Sequence, residues 1–582
     1  MDTLNTSAVR ESGVGAVILA LAVLVPVLGG DPYWAYALTI VAIYSIASAS
    51  TNLLRAESGQ YTFGQGAIFG AAAYSTALAT ATYGWNPVLA VLLGIAIAAV
   101  LGLLLALPAL RVQGYYLGFV SLAAAVVFPQ LLYGFSTFTH AVSGVPLTVV
   151  RPVDAHSGAF QPFSLIVLAL AILAFFGHAV LRGSRLGRRM RAAAISPEAA
   201  QTLRIRPGRV RVVAFVLAAV GAGVAGALYA PYFSFVSPDA FPVSFSVLLY
   251  FTVVVGGDST IIGPLFGLFV LYVVPNLLLT NFADYRDLIY GVLAFVIMAL
   301  LPDGLLPPLK RLAARVRKTA PKPAVDIPAM IEQLERERSE GTGLEGEGKA
   351  GRGLALEVSG VTKRFGAVVA LDGVGFEAAA GRVHALIGPN GCGKSTTLNV
   401  ISGLVRADAG VVSLDGLSEN HHSAVEIATA GVARGFQTPR VFDSLDAWDN
   451  IELGIREGSD RDYGWIRDQL RGVAVASFTH SERRWLELLR ICVSSPRLVL
   501  LDEPAAGLSL NERRQLVSLI RSLVAASGAT VVLVEHDLPL VWGIADTVTV
   551  LAEGRVLTTG RAAEVRESDS MDVIVGSGRA AR

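Results

Sequence analysis

The stretch HALIGPNGCGKSTTLNVISGL holds Gly388-Pro389-Asn390-Gly391-Cys392-Gly393-Lys394-Ser395-Thr396, which fits G-x-x-x-x-G-K-[ST]. Glycines at these positions let successive backbone N–H groups converge on phosphate oxygens. Lys394 would neutralise β/γ charge, and Ser395 would offer an oxygen to Mg²⁺. Further along, RLVLLDEP runs apolar into Asp502-Glu503. A buried strand of this kind delivers its first carboxylate to Mg²⁺ and leaves the second to orient or deprotonate an attacking water. The two stretches together imply hydrolysis of ATP with Mg²⁺ and no covalent cofactor. Three residues extend the set: Phe365 in TKRFG, Gln437 in RGFQTPRVF and His536 in VVLVEHDLPLV. Each alone has a plainer reading, as a core aromatic, an ordinary glutamine and a surface histidine. In this order, Phe365 can stack on adenine, Gln437 can sense the γ-phosphate and Mg²⁺, and His536 can contact the γ-phosphate.

The phosphate loop needs a strand before it and a helix after it, which assigns an α/β P-loop NTPase domain to residues 353–582. Ahead of it lies a different material. The chain has 582 residues, 53% of them hydrophobic, and a mean hydropathy of +0.57, too apolar for a soluble enzyme of this length. Ten apolar stretches (14–30, 34–54, 60–82, 86–108, 114–135, 161–181, 211–235, 244–256, 261–281 and 284–301) are candidate spans, since crossing takes about 20 residues. The short 244–256 segment and the glycine-rich 60–82 segment invite a broken or re-entrant reading, so residues 1–317 form a polytopic α-helical membrane domain of about 8–10 helices. The first stretch reads as a span and not as a cleaved signal. Among intramembrane polar residues, Gln60, Gln65, Gln113 and Tyr116 are pathway candidates. No acid sits mid-span, which weakens a proton-coupled mechanism.

Residues 182–211 carry nine arginines against the single acid Glu198, which places this loop in the cytoplasm. Its amphipathic part also reads as a docking surface for the ATPase half. The linker 318–352, rich in Pro, Glu, Lys and Gly, reads as a flexible tether with one short helix at IPAMIEQLERERSE. The net charge of +1 gives no field for nucleic acid, and the two cysteines, Cys392 and Cys492, show no metal spacing.

The order of motifs resembles the ATP-binding cassette (ABC) superfamily. GVARGFQTPRVF, LLDEPAAGLS and VEHDLPLVWGIADTVTVLAEGRVL are similar to the ATPase subunit of branched-chain amino-acid importers. ESGQYTFGQGAIFGAAAYSTA, RVQGYYLGFVSLA, VVVGGDSTIIGPLFG and LLPDGLL resemble a permease subunit of the same systems, fused here to its ATPase. The resemblance implies a bacterial inner-membrane importer with a cytoplasmic ATPase domain. Its partners would be a second permease–ATPase chain, in a hetero-dimer or a homodimer, membrane lipid and an extracytoplasmic solute-binding protein. The solute would be a branched-chain amino acid or a related small polar molecule, with urea or short amides as the alternative. It also implies that each ATP lies between one cassette's phosphate loop and the other's signature loop, and that the loop at 184–206 relays the motion.

That signature aligns with Phe478-Thr479-His480-Ser481-Glu482. Its glycine is replaced by Ser481, and a Cβ there limits approach to phosphate. The segment from Gln437 to Phe478 is also short for the family. This chain's catalytic set of Glu503, His536 and Gln437 and its Mg²⁺ set of Ser395, Gln437 and Asp502 are intact, so an active ATPase with one degenerate signature is expected. Two other readings remain: an exporter half-transporter, which typically has six long spans, and a membrane-tethered regulatory ATPase.

Overall fold

The computed structural model describes residues 11–21, 32–110, 114–140, 144–146, 162–233, 235–278, 285–309, 312, 325–340, 353–418, 422–459 and 461–568. Gln113, much of the loop after residue 140 and both ends of the 318–352 linker lie outside them. The chain divides into two compact units, one of residues 1–194 with 207–321, the other of 195–206 with 322–582.

In the first unit, helices lie at each of the ten apolar stretches. Among the described residues, six are long and apolar enough to cross a membrane: Tyr36–Glu57, Pro87–Leu110, Tyr116–Gly134, Phe163–Gly183, Pro207–Tyr232 and Pro238–Gly256. Glu11–Leu21, Gly263–Leu278 and Leu288–Leu300 are shorter, and Gln65–Ala81 begins only after a non-helical stretch through residues 59–64.

Small residues set the packing. In Pro87–Ala106 the buried residues are Ala90, Gly94, Ala98, Gly102 and Ala106, a stripe with a period of four. A Cβ on Gly102 would lie 2.1 Å from the Ala219 Cβ, and one on Gly223 2.4 Å from the Ala98 Cβ. Helices without a strong hydrophobic drive between them gain most from such close approach, while Leu92, Val100, Leu103 and Leu104 face outward.

The arginine-rich loop turns partly inward. Glu57 is fully buried, with Arg191 Nε 3.2 Å, His178 Nε2 3.3 Å and Arg182 Nε 3.6 Å from its carboxylate. Arg182 also donates to the Ser259 carbonyl at 3.1 Å, and Arg188 to that of Gly183 at 2.7 Å. Arg182 and Arg191 therefore tie this loop to Glu57, and Arg188 is spent on the turn before its own helix, so these three point into the unit.

The second unit is built on two sheets. The larger has the spatial order Arg555–Arg561, Thr547–Ala552, Val383–Ile387, Thr530–Val534, Leu498–Asp502, Val432–Gly435, parallel except for its first pair. Its three central strands are buried throughout, as a parallel sheet covered on both faces requires. A smaller antiparallel sheet joins Val368–Ala378, Leu356–Phe365, Ala409–Leu414 and Leu417–Ser418.

The stretch read as a tether needs correction. Its helix, Ile327–Glu340, sends Ile327, Met330, Ile331 and Leu334 into one core with Leu489, Val493, Leu516 and Leu519. Arg338 donates to the Cys492 carbonyl. Four apolar side chains at helical spacing outweighed the polar composition of the surrounding segment.

His384, on the strand before the phosphate loop, is fully buried. It is stacked on Phe376 at 4.8 Å and hydrogen-bonded to Thr547 at 2.8 Å. Burial pushes its imidazole down to about 4. An unfolded histidine binds its proton near pH 6.5, so below that pH the unfolded state holds more protons and the domain loses stability as pH falls toward 4. The urea midpoint of this domain, measured in the detergent-solubilised chain, should drop between pH 7 and pH 5. His384→Phe, which keeps a ring against Phe376, should flatten that slope; an unchanged slope would show that other groups govern it.

Candidate active site

The site sits at the carboxyl ends of the parallel strands, where loops diverge from adjacent strands and leave a crevice. Val383–Ile387 ends at Gly388 and the helix Lys394–Ile401 starts after Gly393. Gly393 has φ +104, and a Cβ there would lie 2.6 Å from the Ala370 carbonyl; one on Gly388 would lie 2.1 Å from the Leu551 carbonyl. Only glycine fits at either position. Between them Pro389, Asn390, Gly391 and Cys392 form the turn, with the Cys392 N–H donating to Pro389 at 3.4 Å. Lys394 is buried and its ammonium donates to the carbonyls of Gly388 and Pro389 at 2.8 and 2.9 Å. Thr396 sits half-buried in the first turn of the helix.

Ser395 Oγ lies 3.2 Å from Asp502 Oδ1. A hydroxyl beside a carboxylate is a pair of hard oxygens of the kind Mg²⁺ takes, two ligands that leave the rest of its shell to water and phosphate. The donor set therefore fits an ion that shares its coordination with phosphates. The other Asp502 oxygen accepts from Arg434 at 3.0 Å, and Arg434 also reaches Asn399 at 3.3 Å. Burial pulls the Arg434 guanidinium down, and Asp502 opposes it.

Glu503 is held from both sides. Gln437 Nε2 donates to one oxygen at 2.9 Å, and His536 Nε2 lies 2.6 Å from the other. Its backbone has φ +47, uncommon outside glycine, and is anchored by its N–H to the Val534 carbonyl at 2.8 Å. Below it, the buried Glu535 accepts the Ala505 and His536 N–H groups at 2.7 and 3.1 Å. Burial raises the Glu535 carboxyl, against the pull of those bonds. The structure thus brings Lys394, Ser395, Asp502, Glu503, Gln437 and His536 into two linked clusters. Phe365 stands apart from both, 49% exposed, on the hairpin whose return strand carries Ala370 against Gly393.

The signature stretch is the start of the helix His480–Val493. Thr479 caps it, accepting from the Glu482 N–H at 3.2 Å while Glu482 accepts from the Thr479 N–H at 2.7 Å. The Thr479 hydroxyl is therefore engaged as a cap. His480 packs against Gly507, and Ser481 Oγ donates to Glu512. Burial would raise the Glu512 carboxyl; hydrogen bonds from Ser481 and Ser509 outweigh it and hold it below the ordinary value. The serine is thus tied to a neighbouring helix as well as lacking the freedom of glycine.

Sequence reading missed Arg434, Glu535 and the Arg484–Glu487–Arg490 row. For Arg434 and Glu535 the available signal was a charge inside an otherwise strand-like run. Residues 195–206, part of this same unit, include the helix Pro197–Thr202. There Arg204 donates to the Gly454 carbonyl, Arg206 lies 3.8 Å from Glu426, and Glu198 4.0 Å from Arg440.

Comparison with known proteins gives two family matches in one chain. Residues 33–299 match the permease component of the branched-chain amino acid transport system, and residues 371–506 match the ABC transporter family. The high-affinity branched-chain amino acid transport ATP-binding protein BraF of Pseudomonas aeruginosa is 33% identical over 245 residues, 38% of this chain and 95% of that protein. The corresponding LivG of Escherichia coli is 30% identical over 239 residues, 37% and 94% of the two chains. The ribose import ATP-binding protein RbsA 1 of Rubrobacter xylanophilus is 36% identical over 219 residues, 35% of this chain and 43% of that one.

Glu503 is the carboxylate free of Asp502's ties and is aimed by two side chains. Glu503→Gln should reduce ATP hydrolysis by about 10²–10⁴-fold, the usual weight of a positioned base, while nucleotide binding persists in a filter or fluorescence assay. Hydrolysis near the parent rate would move the role to another group.

Proposed function

The chain belongs to the ABC transporters, a permease of the branched-chain amino-acid family joined to an ATP-binding cassette in one polypeptide; from that premise we propose that it is a component of an ATP-driven importer of branched-chain amino acids or related small polar solutes. The observation that carries the proposal is the joining of that permease to a cassette whose Glu503 is held between Gln437 and His536. The membrane would be the bacterial plasma membrane, with the cassette on its cytoplasmic side.

In this reading the backbone N–H groups of Gly388 and of Asn390 to Thr396 cradle the phosphates, with Pro389–Cys392 as the turn, and Lys394 exchanges the Gly388 and Pro389 carbonyls for phosphate oxygens. Phe365 lies under adenine. Ser395, Asp502 and Gln437 would hold Mg²⁺, which when bound neutralises charge on the transferring phosphoryl group. Glu503 takes the proton of the attacking water, and His536 and Gln437 fix its orientation. Thr479, His480, Ser481 and Glu482 face the ATP bound by a second permease–ATPase chain. An extracytoplasmic binding protein delivers the solute.

Six long apolar helices also suit an exporter half-transporter, but the permease match over 33–299 favours import. The cassette's likeness extends to a ribose importer, so the solute reading rests on the permease half. Urea and short amides remain the second reading there.

Two experiments test this. Cells of the native host should lose uptake of radiolabelled leucine, isoleucine and valine on Lys394→Ala; unaltered uptake of all three with lost uptake of urea or acetamide would transfer the function to those solutes. A pull-down of the tagged chain should recover a second, non-identical permease–ATPase in equal amount. Hydrolysis by that pair should fall far more on Lys394→Ala here than on the matching change in the partner, because Ser481 weakens the partner's site. Equal losses, or recovery of this chain alone, would reject the asymmetry.

A further inference from the structure

We infer that the start of the helix Gln65–Ala81, with the side-chain amide of Gln65, binds the carboxylate and ammonium of a small zwitterionic amino acid within the permease unit; this rests on the amino-acid reading above. The Gly64 N–H donates to the Thr62 hydroxyl at 3.1 Å, but the cap position supplies no side-chain bond to the helix itself, and the first turn holds no acid. The positive end of the helix is therefore left for an anion. Gln65 is the first helical residue, only 1% exposed, and among the described residues neither its Nε2 nor its Oε1 has a hydrogen-bond partner. One residue set earlier, Gln60 is buried and bonds through Nε2 to Ser58 and to the Arg211 carbonyl, while its Oε1 is unpartnered.

An amide offers N–H donors to a carboxylate and a carbonyl to an ammonium, the two needs of a zwitterion. Unpaired, both ends of a buried amide are costly, so a ligand that satisfies them gains correspondingly. The chain enters this helix through irregular backbone at residues 59–64, which packs on Ala194 and the Arg211 carbonyl, a form tolerated where protein or a cavity surrounds it. Broken helices of this kind place their amino ends toward anionic substrate groups. One turn on, on the same face, Phe69 is fully buried among Tyr44, Tyr229, Phe241 and Phe245, an aromatic wall suited to an aliphatic side chain. A Cβ on Gly66 would lie 2.2 Å from Ser246 Oγ. The helix Val243–Gly256 therefore packs closely on the residue next to Gln65, and in this proposal the amino acid enters when the two helices part.

The test replaces Gln65 in the native host and measures radiolabelled leucine uptake together with thermal unfolding of the purified full-length chain. Gln65→Met keeps length and removes an unpaired amide, so uptake should fall at least tenfold while the unfolding temperature stays level or rises. Gln65→Glu, which puts a negative charge where the carboxylate would sit, should lose leucine uptake and favour 3-methylbutylamine, the same skeleton without the carboxylate. A selectivity change of that kind cannot come from misfolding. Parent-level leucine uptake by Gln65→Met overturns this site and leaves the amino-acid reading standing. A fall in uptake matched by a lower unfolding temperature also overturns it, in favour of a structural role. Absence of any leucine uptake dependent on the parent chain overturns the amino-acid reading and this site with it.

Discussion

A single buried guanidinium governs the geometry of the cassette. Arg484, almost wholly enclosed, donates to the carbonyls of Phe436 and Gln437 and pairs with Glu487 at 3.0 Å. Glu487 in turn accepts the Arg440 N–H at 3.0 Å, and Arg490 donates to the Arg440 carbonyl at 2.6 Å. The backbone from 436 to 440 is thus clamped to the helix that starts at the signature. Gln437 meanwhile reaches across to Glu503. Burial pushes the Glu487 carboxyl up and the Arg490 guanidinium down, and their mutual attraction opposes both shifts. Buried ions of this kind are weak evidence for stability, because desolvation offsets the attraction. What they fix here is position: Gln437, which holds Glu503, and the start of the helix His480–Val493 cannot shift independently.

The same backbone also meets residues 195–206. Arg440, held on its inner side by Glu487 and Arg490, faces Glu198 at 4.0 Å on its outer side. That exposed pair contributes little energy by itself. Arg204, bonded to the Gly454 carbonyl, adds a contact to the chain just after the helix Ala447–Glu452. Residues 195–206 therefore rest on the segment that Arg484 clamps. Movement of Gln437 with Glu503 has a short physical route to them, through packed groups and not through distance alone.

Legibility in the sequence followed the range of the constraint. The phosphate loop is readable because every requirement is local: positive φ at Gly388 and Gly393, then Lys394 and Ser395 on the next turn. Strand Leu498–Asp502 is readable because burial on both faces demands an unbroken apolar run. The row Arg484, Glu487, Arg490 is not readable. Charges at that helical spacing describe a solvated face, and what buries them is the carbonyls of residues 436–440, distant in sequence. The helix Ile327–Glu340 was located by its pattern, yet its docking was missed because its partners lie on helices His480–Val493 and Leu510–Ser527. Ser481 was noticed as an absent glycine, but its bond to Glu512 depends on a contact between two helix starts that no single stretch reveals.

Both units hold buried polar atoms without a partner among the described residues, Nε of Arg434 and Arg484 in the cassette as well as the Gln65 amide in the permease unit, but they differ in whether the whole group is left unengaged. In the cassette, charges at Arg484, Glu487, Asp502 and Glu535 all find partners, as a rigid catalytic frame requires. In the permease unit Glu57 is likewise surrounded by cations, where the arginine loop meets the bundle. Gln65 is the contrast: deep among small and aromatic residues, at the unfilled end of a helix, with neither amide atom engaged. Gly66 and Gly70 beside it pack so closely on Ser246, Phe128 and Phe241 that no side chain fits at either position. An amide held at such cost, in a unit whose other contacts favour small apolar groups, is accounted for by a polar partner that comes and goes.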